Sequence, residues 1–134
     1  MKRILTFGVF DCFHLGHLRL FKQAKKNSND YLIVAVQETS FVQKYKPNSI
    51  LLYSTQERIE ILESLRIVDE VITYQEICIK VLNDIDFDVL ALGQDHVGKR
   101  FDDAINWCMM HNKEVIRLKR TPFISSSYIK RNLG

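Results

Sequence analysis

The sequence predicts one α/β domain over residues 1–134, built on a five-stranded, mainly parallel sheet flanked by helices. Two observations predict it. Short apolar runs alternate along the chain with segments of helical period, the pattern of strands joined by helical crossovers. The runs are rich in Ile, Val, Leu and Phe without a polar face, as expected of strands covered on both sides. Strands are expected near 3–10, 30–37, 68–73, 87–93 and 114–118, and helices near 16–27, 54–66, 75–85, 101–111 and 125–132.

The first strand is the run from Ile4 to Asp11, and the helix after it opens at Gly16. The second strand centres on Leu32-Ile33-Val34-Ala35-Val36. Residues 38–53 show no clear period and include Lys44, Lys46 and Pro47, so a long functional loop is expected there. Ser54-Thr55-Gln56-Glu57 carries a capping-box pattern, with Ser54 accepting from an early helical N–H and Glu57 reaching back, and Ile59, Leu62 and Leu65 supply the apolar stripe.

At 134 residues with 46% hydrophobic and 26% charged side chains, the chain can bury a core as one domain. Its longest strongly apolar run is too short to span a bilayer, and Met1-Lys2-Arg3 leads straight into a strand, so no membrane association and a cytoplasmic location are expected. Cys12, Cys78 and Cys108 have no C-x-x-C spacing, which predicts reduced thiols. A net charge of +3, interleaved with acids and lacking a stacking motif, gives no sign of a nucleic-acid surface.

The residues that carry chemistry fall after strands. His14-Leu15-Gly16-His17 places two imidazoles at i and i+3 where strand gives way to helix, and a helix start offers unpaired N–H groups and partial positive charge to phosphate. A metal site with Asp11 as third ligand is the bland alternative, but no zinc-hydrolase spacing accompanies it. Gly16 would let phosphate approach the helix backbone; Gly8 would do the same or mark a bulge. Lys44 and Lys46 alternate about Tyr45 and would face one way in an extended loop. Asp95, after Gly93-Gln94, could orient a hydroxyl, a base amine or hydrated Mg²⁺, or merely cap a turn. Arg120-Thr121 and Ser125-Ser126-Ser127 follow the last strand, where an arginine fork can hold phosphate and the serines can cap a helix. Open parallel sheets bind ligands beyond the carboxyl ends of their strands, so the clusters converge on one edge. Neither G-x-G-x-x-G nor a P-loop sequence is present.

At these residues the chain resembles the HxGH nucleotidyltransferase superfamily and, within it, the small bacterial cytidylyltransferases, the glycerol-3-phosphate cytidylyltransferase group above all. The likeness takes in Gly8-Val9-Phe10-Asp11, His14-Leu15-Gly16-His17, Lys44-x-Lys46, Arg58, the run from Leu65 to Val71, Gly93-Gln94-Asp95, and Arg120-Thr121 with Ile124 to Ser127. It implies a Rossmann-like sheet, a homodimer, and condensation of CTP with a phosphorylated alcohol, glycerol 3-phosphate first, to a CDP-alcohol and pyrophosphate with Mg²⁺. By that likeness His14, His17, Lys46 and Arg120 are catalytic. Gly8, Val9, Phe10, Asp11, Gly16, Asp95, Thr121, Ile124, Ser125, Ser126 and Ser127 bind nucleotide, and Lys44 and Lys80 meet the acceptor. Val9 stands where the family often has Thr, and Phe123 where Gly is common. An adenylyltransferase using ATP and a non-catalytic nucleotide-binding regulator are the alternatives. No protein nucleophile is required, because a phosphate monoester with a second pKa of about 6 is already largely dianionic at neutral pH.

Overall fold

The computed structural model describes residues 1–119. Five strands, β1 (Arg3–Gly8), β2 (Tyr31–Gln37), β3 (Glu70–Tyr74), β4 (Val89–Leu92) and β5 (Glu114–Arg117), form one sheet in the order β3-β2-β1-β4-β5. Every pairing is parallel, for example Phe7 with Ala35 and Leu90 with Val115. The helices are α1 (Leu15–Ala24), α2 (Thr39–Tyr45), α3 (Thr55–Glu63), α4 (Ile79–Asp84) and α5 (Lys99–Met110).

Alternation along the central strands sends side chains into two cores. Leu5, Phe7, Ile33, Leu90 and Leu92 pack against Leu82 of α4 and Ala104, Trp107 and Cys108 of α5. Ile4, Leu32, Val34, Val89 and Ala91 meet Phe21 and Ala24 of α1 and Leu62 of α3 on the opposite face. The central strands are apolar on both sides for this reason, while the edge strands β3 and β5 are only partly buried. Among the described residues, no helix is long and apolar enough to cross a membrane.

The expected capping box is present: Ser54 Oγ accepts from Glu57 N–H at 3.1 Å, and Glu57 Oε1 accepts from Ser54 N–H at 2.9 Å. Two expectations are corrected. The first strand stops at Gly8 rather than reaching residue 10, because Phe10 adopts a left-handed φ of 55° that no strand accommodates. Residues 38–53 are not loop throughout, since α2 occupies Thr39–Tyr45. Lys44 therefore lies in the last helical turn and Lys46 at its C-cap, so the extended alternation expected of them does not hold. The final expected helix, near 125–132, lies outside the described residues.

Candidate active site

Strand order reverses at β1: the chain winds outward through β2 and β3, then returns to place β4 on β1's other side. In open sheets a crevice forms beyond the carboxyl ends at such a point. The loops after β1 and β4 flank it, and a methyl group built on Gly93 would lie 3.9 Å from Leu20 of α1, so the second loop sits against the first helix.

The β1–α1 connection is strained and tightly filled. Phe10 and Cys12 both have positive φ, 55° and 52°. Backbone strain of this kind gathers at functional sites, where surrounding packing enforces it. Here the Phe10 ring folds back over Gly8, where a Cβ would stand 2.6 Å from its Cζ. The same ring packs against Phe21, centroids 5.4 Å apart, and edge-on to His17, also at 5.4 Å. Gly8 thus accommodates Phe10 rather than marking a bulge.

The two histidines cap α1 reciprocally. His14 Nδ1 accepts from Gly16 N–H at 3.0 Å, and His17 Nδ1 accepts from His14 N–H at 3.3 Å. This is the geometry of a capping box with imidazoles in the usual Ser and Glu positions. The rings stack, 3.9 Å between centroids and 21° between planes. Because backbone N–H can only donate, both Nδ1 atoms are acceptors and each neutral ring carries its proton on Nε2. Burial, with the His14 ring second, pushes His17 down to a pKa of about 3, so it is a neutral N–H donor at pH 7. Gly16, expected to open the backbone to phosphate, is buried and its N–H is taken by His14.

Asp11 is buried and spans to the segment before α3, its oxygens accepting from Leu52 N–H at 2.8 Å and Tyr53 N–H at 3.0 Å. His14, His17 and Asp11 are not brought together as a metal site. Among the described residues, no three His, Cys, Asp or Glu converge on a place for an ion.

Two residues hold the crevice loops in ways the sequence did not show: Arg58 stood only within the family likeness, with no role, and His96 stood in no motif. Arg58, in the apolar stripe of α3, is 0% exposed. Its Nη1 donates to Val9 O and Gln37 O, both at 2.8 Å, and its Nη2 to Thr39 Oγ1 at 2.8 Å and Thr55 Oγ1 at 3.4 Å. The guanidinium thereby knots the ends of β1 and β2 to the starts of α2 and α3. Burial lowers its pKa, opposed by Asp11. Besides the family likeness, the sequence signal for such a role was a cation where the helix should be apolar.

The second is His96. Its Nδ1 accepts from Gly93 N–H at 3.1 Å, its ring stacks on Phe101 at 4.9 Å, and Arg117 Nη1 donates to Gly93 O at 3.1 Å and His96 O at 2.7 Å. This lock shapes the loop that presents Asp95. Burial pushes the His96 pKa down, against Asp95 and with Arg117, in keeping with a neutral acceptor.

Lys44 Nζ lies 5.3 Å from the Phe41 ring centroid and 5.5 Å from that of Tyr45, Lys46 is exposed at the C-cap of α2, and Lys80 is exposed in the first turn of α4. Arg120, Thr121, Ile124, Ser125, Ser126 and Ser127 lie outside the described residues. The last described residue, Lys119, is clamped to α1: its N–H donates to Gln23 Oε1 at 2.8 Å and its carbonyl accepts from Gln23 Nε2 at 2.9 Å.

The pattern of the cytidylyltransferase-like family matches residues 5–132. A glycerol-3-phosphate cytidylyltransferase of Bacillus spizizenii is 39% identical over 137 aligned positions, covering 100% of this chain and 98% of the relative. An FAD synthase of Methanohalophilus mahii is 31% identical over 121 positions, covering 88% of this chain and 82% of its own. Among solved structures, a lipopolysaccharide core biosynthesis protein from Thermoplasma volcanium superposes with a TM-score of 0.75 at 24% identity, over 90% of this chain and 98% of that one, a likeness of fold. With the imidazole pair seated at the switch point of an all-parallel sheet, these matches establish that the chain belongs to the cytidylyltransferase-like family of nucleotidyltransferases.

Proposed function

We propose that the protein condenses CTP with a phosphorylated alcohol, glycerol 3-phosphate first among them, releasing pyrophosphate. An oxygen of the acceptor phosphate attacks the α-phosphorus, a new P–O bond forms, and the bond to the β-phosphate oxygen breaks. The observation that carries this is the reciprocal imidazole cap, which leaves two neutral rings with their protons on Nε2 beside the crevice. Full-length similarity to glycerol-3-phosphate cytidylyltransferases supports the choice of substrates.

The chemistry asks the protein to align two anions and to stabilise charge growing on the α-phosphoryl and the departing pyrophosphate. The Nε2–H groups of His14 and His17 donate to phosphate oxygens, and Lys46 and Arg120 neutralise them. Lys44 and Lys80 meet the acceptor phosphate. Gly8, Val9, Phe10 and Asp11 shape the first loop and Gly16 the first turn of α1, Asp95 shapes the second loop, and Thr121, Ile124, Ser125, Ser126 and Ser127 form the terminal nucleotide-binding segment. Mg²⁺ bound with the triphosphate would be held through phosphate oxygens and Asp95 and would supply charge neutralisation there, because this ion keeps most of its water and takes one or two carboxylates rather than a protein cage. Asp95, on the loop after β4 that flanks the crevice, offers a carboxylate suited to that mode. A homodimer acting on these small molecules, away from nucleic acid, completes the proposal.

A second proposal, adenylyl transfer from ATP, draws on the similarity to FAD synthases, whose named product contains an adenylyl group. Mass spectrometry of reactions with Mg²⁺, CTP or ATP, and glycerol 3-phosphate, ribitol 5-phosphate, phosphocholine, phosphoethanolamine or flavin mononucleotide separates the two. CDP-glycerol is the expected product. Products from ATP alone would overturn the choice of base.

A further inference from the structure

The short helix α2 is held differently at its two ends. Its start is tied to the Arg58 knot, with Thr39 N–H donating to Thr55 Oγ1 at 3.0 Å and Thr39 Oγ1 accepting from Arg58. Along the helix only Val42 is buried, and the N-cap residue Glu38 makes no side-chain cap. Seven residues so placed do not hold position by themselves, because helix nucleation is costly and tertiary packing supplies most of a short helix's stability.

The far end is fixed by three side chains from three elements. The Tyr45 hydroxyl donates to Glu76 Oε2. Arg100 Nη2 pairs with that same oxygen at 3.4 Å, and the Arg100 guanidinium carbon lies 4.1 Å from the Tyr45 ring centroid. One carboxylate thus joins the tip of α2, the β3–α4 connection and the first turn of α5. In the sheet, β2 and β4 flank β1, so this contact links the connections on either side of the loop that carries the histidines.

We infer that Tyr45, Glu76 and Arg100 form a clasp that positions Lys44 for the anionic acceptor, making them positioning residues for acceptor binding. The inference rests on the proposed role of Lys44. Lys44 directly precedes Tyr45 in the last turn of α2, so what fixes that residue fixes the backbone from which this cation projects. The Tyr45 hydrogen bond, with the nearby charges of Arg100 and Lys44, also holds the Glu76 carboxyl below its ordinary value and keeps it ionised for the pair.

Hydrogen exchange through residues 39–46, read beside steady-state kinetics, tests the clasp. Arg100→Ala and Glu76→Gln should each speed exchange in that segment about fivefold, the size expected of one exposed cation–π contact. The KM for glycerol 3-phosphate should rise by about the same factor, while the KM for CTP and the thermal midpoint stay at the parent values. Arg100→Lys keeps a cation over the ring and should restore most of both. The Arg100→Ala/Glu76→Gln double variant should be no worse than either single one. Unchanged exchange in Arg100→Ala overturns the clasp, as do losses that add in the double variant, faster exchange with the acceptor KM unmoved, or KM values for CTP and acceptor that rise together. Should the protein be inert toward CTP and glycerol 3-phosphate, the proposed substrates fail, while the exchange rates in 39–46 still decide whether the clasp exists.

Discussion

Helices α1 and α2 each follow a central strand and each carries, in the helix or at its cap, two of the proposed phosphate-binding side chains, yet they are secured by opposite means. α1 is capped on itself by His14 and His17 and buries Gly16, Phe21 and Ala24. α2 has no side-chain cap and buries Val42. The difference matches the chemistry each must do. An imidazole N–H is a directional donor, useful when its ring cannot turn, whereas a lysine is a point charge on a flexible stem that tolerates a less fixed base.

The largest expected effect comes from breaking the rigid side. His14→Ala and His17→Ala should each lower kcat by roughly two orders of magnitude, the consequence of losing a transition-state donor that contributes about 3 kcal/mol. Steady-state rates on variants whose circular dichroism matches the parent check this. His17→Gln sharpens it: Gln can serve at the third position of a capping box, so the thermal midpoint should stay near the parent's while turnover is lost. A variant that keeps both would show that His17 is only a cap.

Acid should loosen the same cap. The pKa of His17 is about 3 in the folded protein and 6.5 ordinarily, so below pH 6.5 the unfolded chain binds a proton that the folded one refuses. The stabilisation is complete above pH 6.5 and is lost as pH falls toward about 3, at up to roughly 1.4 kcal/mol per pH unit. Between pH 6.5 and 5 this amounts to about 2 kcal/mol, measurable as a fall in urea midpoint that His17→Gln should remove.

The smallest effect lies on the adaptable side. Glu38→Ser would supply the cap that α2 lacks, at the loss of the 3.2 Å bond from Gln75 Nε2 to Glu38 Oε2. N-cap serines contribute about 1 kcal/mol, so exchange within 39–45 should slow severalfold. If exchange does not change, the clasp and the Arg58 knot already determine how α2 is held.

The contrast also explains what could be read from the sequence. The sheet was legible because its central strands, such as Leu32–Val36 and, apart from Thr6, Ile4–Phe7, are apolar on both faces, and parallel pairing follows from covering both. The imidazole pair was legible by spacing, but its exchange of backbone hydrogen bonds was not, since histidine seldom substitutes for both Ser and Glu in a cap. α2 was hidden because one buried valine leaves no periodic stripe. The role of Arg58, named only within the family likeness, and the whole of His96 were hidden for a related reason: their partners are backbone carbonyls and an amide brought close only by the fold.

Phe10 and Gly8 carry an evolutionary consequence. With the tip of the Phe10 ring 2.6 Å from where a β-carbon at position 8 would stand, position 8 is not free to drift alone. A larger residue at 8 becomes acceptable only after the aromatic at 10 has shrunk, and that first step would strip the edge-on neighbour from His17. The two positions are therefore epistatically joined in one direction, and a lineage that carries a side chain at position 8 should also carry a smaller residue at position 10 and an altered environment for the second imidazole.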